Sequence, residues 1–308
     1  MKVLVTGGAG FIGSHVVDKL VRKNFDVVIV DDFSTGKRKN INERAQLYQC
    51  DIMNEKALDD VINAENPEIV IHHAAQISVQ NSISAPEFDA NVNIIGTINL
   101  LHSCIRHHVK KIIYASSAAV YGEPQYLPVD EEHILNPLSP YGISKHTPEH
   151  YIKAVKELFG LEYTILRYAN VYGPRQDAQG EGGVVSIFID RLLQGEPIII
   201  YGDGHQTRDF VYVKDIATAN LSAISNGMNQ VINISTNSNT SVKDLFYLLC
   251  EINNSYIAPE YHLARQGDIV HSYLDNQKAF KNLNWKPEFS LFEGLRQTLE
   301  YYEKDQQT

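Results

Sequence analysis

Cysteine, methionine and tryptophan are scarce in this chain, with three, three and one in 308 residues. The cysteines, Cys50, Cys104 and Cys250, are odd in number and far apart. That argues against a disulfide framework and for a reducing compartment. Each is expected as a small buried hydrophobe rather than a nucleophile. No apolar run approaches the ~20 residues of a membrane span. The opening MKVLVTGGAG runs straight into glycines, without the apolar core and cleavage site of a secretory signal. The expectation is therefore a cytoplasmic protein with no membrane partner. Positive charge is also in deficit: 27 Lys and Arg face 37 Asp and Glu, a formal net charge of −10. Such a chain is poorly suited to nucleic acid or anionic surfaces. Any anionic ligand must be gripped locally, by helix N-termini and a few placed arginines.

Apolar residues make up 44% of the chain and charged residues 21%, which is enough to bury a sizeable core. Short apolar, β-branched runs alternate with amphipathic stretches: Val3–Val5, then a helical pattern from Ile12 to Val21, then Val27–Val30, Ile69–His73 and Ile112–Ser116. Ile165–Tyr168 and Val231–Ile234 continue the series. Strands apolar on both faces and separated by helices predict a doubly wound parallel sheet, an α/β fold of Rossmann type. Residues 171–183 are rich in Gly, Pro and polar side chains and are expected to be a loop leaving the sheet. Helices are expected at about 184–193, 241–253 and 290–303, with a strand at 198–201. The expected organisation is a cofactor domain of residues 1–170 plus about 210–236. A smaller α/β substrate lobe takes about 171–209 and 237–308.

Thr6-Gly7-Gly8-Ala9-Gly10-Phe11-Ile12-Gly13 follows the first strand and opens the first helix. Gly7 allows a tight turn, Gly10 lets a pyrophosphate approach the backbone, and Gly13 lets the helix pack close to the sheet. The phosphates then meet the positive helix N-terminus, at Phe11 and Ile12. Asp31 ends the second strand about 18 residues after Gly13, where a carboxylate accepts from the adenosine ribose hydroxyls and repels a 2′-phosphate. NAD is favoured over NADP, and the basic turn at Lys37, Arg38 and Lys39 is expected to be solvated.

Tyr141 and Lys145 stand four apart, one turn along one helix face. An ammonium beside a phenol favours phenolate and lets a tyrosine act as a base near neutral pH. Ser116 and Ser117 end an apolar strand, at the sheet edge where such folds bind ligands. Ser117 is thus placed to bond a reacting hydroxyl.

These motifs at these separations, Thr-Gly-x-x-Gly-x-x-Gly, Ser-Ser-Ala-x-Val-Tyr-Gly and Tyr-x-x-x-Lys, resemble the extended short-chain dehydrogenase/reductase family. Within it they are most similar to the UDP-glucose 4-epimerases. The likeness runs from Lys2 to about Tyr302. It implies an NAD cofactor, with Asp51 and Ile52 near the adenine and Ala74, Ala75 and Gln76 beneath the cofactor. Asn93 and Tyr168 join them, and Asp32, Ser34 and Gly36 follow Asp31 in the same site. It implies a UDP-sugar held by Asn170, Arg208, Arg265 and Asp268, with Val184, Val185 and Tyr201 nearby. Two guanidiniums suit a diphosphate. Four residues beyond Asp268 stands Ser272, where relatives restricted to glucose and galactose tend to carry Tyr; a small side chain leaves room for a 2-acetamido group, whereas an alignment shifted by one puts Tyr273 there and reverses the reading. A lysine that some bacterial members carry near the substrate corresponds to Ile77.

The resemblance further implies C4 epimerisation through a 4-keto sugar, with Ser117, Tyr141 and Lys145 catalytic. It also implies a homodimer in which segments 93–106 and 141–158 pair as a four-helix bundle. The competing readings are a 4,6-dehydratase, a uronic-acid epimerase or decarboxylase, and a non-catalytic NAD sensor. Ala118-Ala119 supplies no acid for a dehydratase. No metal site is expected, since His72 and His73 on one strand point to opposite faces.

Overall fold

The computed structural model describes residues 1–178, 183–255, 257–264 and 269–306. The first half alternates strand and helix: β1 (Lys2–Thr6), α1 (Phe11–Arg22), β2 (Asp26–Asp31), β3 (Gln46–Gln49), α2 (Glu55–Glu65), β4 (Ile69–His72). Two short helices, α3 (Val79–Ser84) and α4 (Pro86–Ala90), lead through a π-helical turn at Asn91–Ile95 into α5 (Gly96–Arg106). Then come β5 (Lys111–Ser117), α6 (Pro140–Phe159) and β6 (Glu162–Tyr168). The second half contains β7 (Asn170–Tyr172), α7 (Val184–Gln194), β8 (Ile199–Tyr201), β9 (Thr207–Arg208), β10 (Phe210–Tyr212), α8 (Val213–Ala223), β11 (Gln230–Ile234), β12 (Thr240–Ser241), α9 (Val242–Ile252), β13 (Glu260–His262), α10 (Gln277–Leu283) and α11 (Leu291–Gln306).

Seven strands form one parallel sheet in the order β11-β6-β5-β4-β1-β2-β3. Winding reverses between β1 and β4, the switch point at which such sheets open a crevice. Side chains alternate between two apolar layers, as the two-residue period of a strand requires. Val3, Val5, Val27, Ile29 and Ile71 pack with Val16 and Leu20 of α1 and Ile216 of α8. Leu4, Val28, Val30, Val70 and Ile112 pack with Leu58 of α2, Leu100 of α5 and Ile152 of α6. Each such side chain contributes about 1.5–3 kcal/mol on burial.

A separate apolar cluster joins α7, α9 and α11 to β8 and β10, through Phe188, Ile200, Phe210, Phe246 and Leu295. Two expectations need correction. Residues 171 and 172, expected in the loop, are strand, because with Asn170 they pair in parallel with the distant β10, a partner the local Gly-Pro composition hides. Ala279, Leu283 and Trp285, assigned from sequence to the smaller lobe, pack in the large sheet's cluster instead. No described helix is long and apolar enough to cross a membrane.

Candidate active site

The cradle between β1 and α1 depends on absent side chains. Gly7 has φ +68°, and a Cβ there would meet the Ala74 amide at 2.7 Å. A Cβ on Gly13 would fall well inside contact with the Gly7 carbonyl oxygen. No side chain caps α1 at Gly10, so the first-turn amides, Phe11 and Ile12 among them, have no intrahelical partner and suit an anion. Asp31 ends β2 buried, its carboxylate accepting from Ala9 N at 2.8 Å and Phe33 N at 2.9 Å. Burial raises its pKa, opposed by those two amides. Gly36 lies against Asp31 Oδ1. Asp32 accepts from both the amide and the hydroxyl of Ser34, and Asp51 from Met53 N. These residues fit a dinucleotide: a side-chain-free phosphate turn beside an uncapped helix, and a fixed carboxylate that retains spare lone pairs.

His72, the last residue of β4, and His73, which follows it, turn to opposite sides of the sheet. Thr97 donates to Asn93 O at 2.6 Å, so its oxygen must accept from His72 Nε2 at 3.0 Å. His72 Nδ1 then accepts from the Thr6 hydroxyl at 2.7 Å, whose oxygen receives Ala74 N. Burial holds His72 neutral, its pKa well below the usual value. His73 instead stacks on Tyr168, 6.1 Å between ring centroids, and Asn220 donates to the Tyr168 hydroxyl at 2.8 Å. Among the described residues no three His, Cys, Asp or Glu side chains converge to hold a metal.

The loop after β4 is fastened to the helices by Asn93. Its amide accepts from Gln76 N at 2.8 Å and donates to Gln76 O, Asp89 Oδ1 and Ser144 Oγ. Gln76 in turn donates to Asp89 Oδ1 at 2.7 Å. Asn93 is thus buried and committed to protein partners, with Ala74, Ala75 and Gln76 half-buried ahead of it. Ile52 is buried and lies close to Gly96. Ile77, at the variable lysine position, is 51% exposed.

Ser117 is the last residue of β5, and its hydroxyl oxygen accepts from Ala119 N at 3.2 Å. α6 begins where Ser139 caps Gly142 N at 3.1 Å and Pro140 takes the first helical position. A Cβ on Gly142 would stand 2.8 Å from the Ala119 carbonyl oxygen, so the first turn of α6, with Tyr141, abuts the turn that follows Ser117. Tyr141 is half-buried. One turn on, Lys145 is 5% exposed with Nζ 4.8 Å from the Tyr114 ring centroid. Its burial, opposed by the charges of Asp89 and Glu149, brings the Lys145 pKa down to about 8.

Beneath this site lies a buried pair that motif reasoning missed. Glu149 takes two bonds from Arg167, at 3.0 and 2.7 Å, and one from Ser116 at 2.6 Å. Arg167 also donates to the Tyr121 hydroxyl, which donates to Asn233. Two signals were available: Glu149 continues the Tyr141–Lys145 helix face at four-residue spacing, and Arg167 interrupts an apolar strand, which demands a buried acid.

On the substrate side, Asn170 is exposed and its amide donates to Asp209 O at 2.9 Å. Arg208 and Tyr201 are half-buried. Val184 is half-buried, whereas Val185 turns into the smaller lobe's core. Thr207 pairs in parallel with His271, their side chains 3.0 Å apart. Ser272 N donates to Thr207 O at 3.2 Å, and Ser272 and Tyr273 are both half-buried. Arg265 and Asp268 lie outside the described residues. Asp209, also missed, accepts from Thr236 N and Oγ1 and from Leu274 N, and burial lifts its pKa to about 6.

The switch-point crevice, the glycine cradle and the fixed Asp31 define a dinucleotide-using α/β enzyme. Residues 3–235 match the NAD dependent epimerase/dehydratase family. The chain is 50% identical to a Methanocaldococcus jannaschii protein named provisionally as a UDP-glucose 4-epimerase, covering 99% of this chain and 100% of that one. Its fold superposes with TM-score 0.98 on the Thermotoga maritima UDP-glucose 4-epimerase solved with UDP-glucose, at 48% identity over 99% and 100% of the two chains. A UDP-N-acetylglucosamine 4-epimerase from Methanobrevibacter ruminantium, in complex with UDP-N-acetylmuramic acid, matches with TM-score 0.94 and 38% identity over 99% and 98%. The chain belongs to the NAD-dependent epimerase/dehydratase family. It is an isomerase of the epimerase type, and NAD is its cofactor.

Proposed function

We propose that the protein interconverts UDP-hexoses at C4, UDP-glucose with UDP-galactose and also UDP-GlcNAc with UDP-GalNAc, through a 4-keto sugar. The observation that carries this reading is the buried Lys145 one turn beyond Tyr141, on a helix whose first turn abuts the segment after Ser117. In the proposed roles, Tyr141 as phenolate takes the proton of the sugar 4-hydroxyl, and Ser117 steadies that hydroxyl. Lys145 holds the nicotinamide ribose and keeps the Tyr141 phenol acidic. Bound NAD supplies a hydride acceptor and, on return, a hydride donor. Asp31 accepts from the adenosine ribose hydroxyls. Arg208 and Arg265 grip the diphosphate, Asp268 the uridine ribose, and Asn170 steadies the sugar diphosphate. Residues 1–170 with 210–236 carry the cofactor, backed by the segment of Ala279, Leu283 and Trp285 that packs on the large sheet, and the rest of the second half carries the UDP-sugar.

Acceptance of N-acetylated sugars is supported by the small side chain of Ser272, next in sequence to His271, which bridges to Thr207 beside Arg208. Homodimerisation through segments 93–106 and 141–158 is supported by an apolar stripe left exposed on α6, Ile143, Tyr151 and Leu158, and by exposed Ile95 in the turn just before α5. Replacing Tyr141 by Phe tests the assignment. Turnover of every UDP-sugar is expected to vanish while UDP still binds; retained turnover would overturn it.

A further inference from the structure

A second cavity, of about 320 Å³, lies along α1 and is lined by none of the residues proposed for NAD or the UDP-sugar. Its walls carry four cations, Arg22 of α1, Arg175 of the segment after β7, Lys214 at the start of α8 and Lys304 of α11, against two carboxylates, Asp18 and Glu300. In a chain of net charge −10 this is a local reversal of sign. Both carboxylates are already engaged: Asp18 Oδ2 takes Arg175 Nη2 at 2.9 Å, and Glu300 takes Arg296 Nη1 at 2.6 Å. His15 adds no charge, because Nε2 donates to the Pro174 carbonyl and burial draws its pKa down to about 4.

Three further observations point to an anionic ligand for this cavity. Arg175 Nη1 is buried without a hydrogen-bond partner. Arg175 holds φ +71°, a left-handed conformation that costs a non-glycine residue and is met where surroundings or function impose it. Lys214 Nζ reaches the neutral amide oxygen of Gln297 at 2.7 Å, and it stands in the first turn of a helix with no side-chain cap, where anions are favoured.

We propose that this cavity binds a small phosphorylated metabolite, its phosphate dianion held between Arg175 and Lys214 and its organic body filling the remaining space beside Tyr301. Guanidinium and ammonium groups together suit a phosphate monoester, and the volume exceeds what inorganic phosphate needs.

The test is calorimetric titration of the NAD-loaded, full-length protein with glucose 1-phosphate, and separately with inorganic phosphate. UDP is kept saturating so that the proposed diphosphate site is filled. The expected result is one saturable site per chain, weakened at least about tenfold in Arg175→Gln and in Lys214→Gln, with NAD content and turnover retained. Lys214→Gln serves if loss of the Asp18 pair unfolds the Arg175 variant. Equal affinity for both probes would support the anion site and assign recognition to the phosphate group alone. Absence of saturable binding, or binding unchanged in both variants, would overturn the proposal.

Discussion

Arg167 and Glu149 form a two-bond buried pair, Nε to Oε1 at 3.0 Å and Nη2 to Oε2 at 2.7 Å, that fastens α6 to β6 beneath the end of β5. Because Ser116 also bonds Glu149 at 2.6 Å, one carboxylate ties together the strand that ends in Ser117 and the helix that carries Tyr141 and Lys145.

Glu149→Gln keeps the shape of the side chain and removes its charge, leaving the Arg167 guanidinium 2% exposed and uncompensated. Breaking one side of a buried ion pair costs about 3–5 kcal/mol. Denaturant unfolding of the cofactor-free protein is expected to show a loss of that order. A loss under about 1 kcal/mol would mean that the pair is not what fastens α6.

Lys145 gives a pH signature. Burial lowers its pKa in the folded, cofactor-free chain to about 8 from 10.5. Below about 8 the lysine is charged in both states and the burial penalty is present in full. Between about 8 and 10.5 the folded chain has released a proton that the unfolded chain still holds, so folding gains stability as pH rises. The melting temperature of the NAD-free protein, compared with that of Lys145→Met, should therefore climb across that window. A constant difference would contradict the shift, since other titrating groups are common to both proteins.

Ser272→Tyr tests the sugar pocket. The variant should lose turnover of UDP-GlcNAc and UDP-GalNAc while keeping that of UDP-glucose, measured as kcat/KM for each. Equal loss on both pairs, or none, would remove Ser272 from the pocket.

The doubly wound sheet was legible because each strand is a short, locally apolar run and each crossover a helical pattern; Val3–Val5 and Ile112–Ser116 needed no distant information. The glycine cradle and the Tyr141–Lys145 pair were legible because each is a local spacing. What escaped was non-local. β7 exists only through its pairing with β10, some forty residues on. Trp285 joins the large sheet's core because its indole N–H donates to Asp215 O at 2.9 Å, a contact that no local window contains. Arg167 and Glu149 were visible singly but not as partners, and the bonds that tie Asn93 to Gln76, Asp89 and Ser144 join residues up to 51 positions apart.

The central claim is oxidation and re-reduction at C4 by a retained cofactor. The most direct measurement is to incubate the purified protein, without added NAD, with UDP-glucose deuterated at C4, and to follow both sugars by NMR. The account predicts that UDP-galactose accumulates to a fixed ratio with deuterium still at C4, because the same hydrogen leaves and returns. Epimerisation with deuterium lost to water, or no conversion of any UDP-hexose, would contradict it.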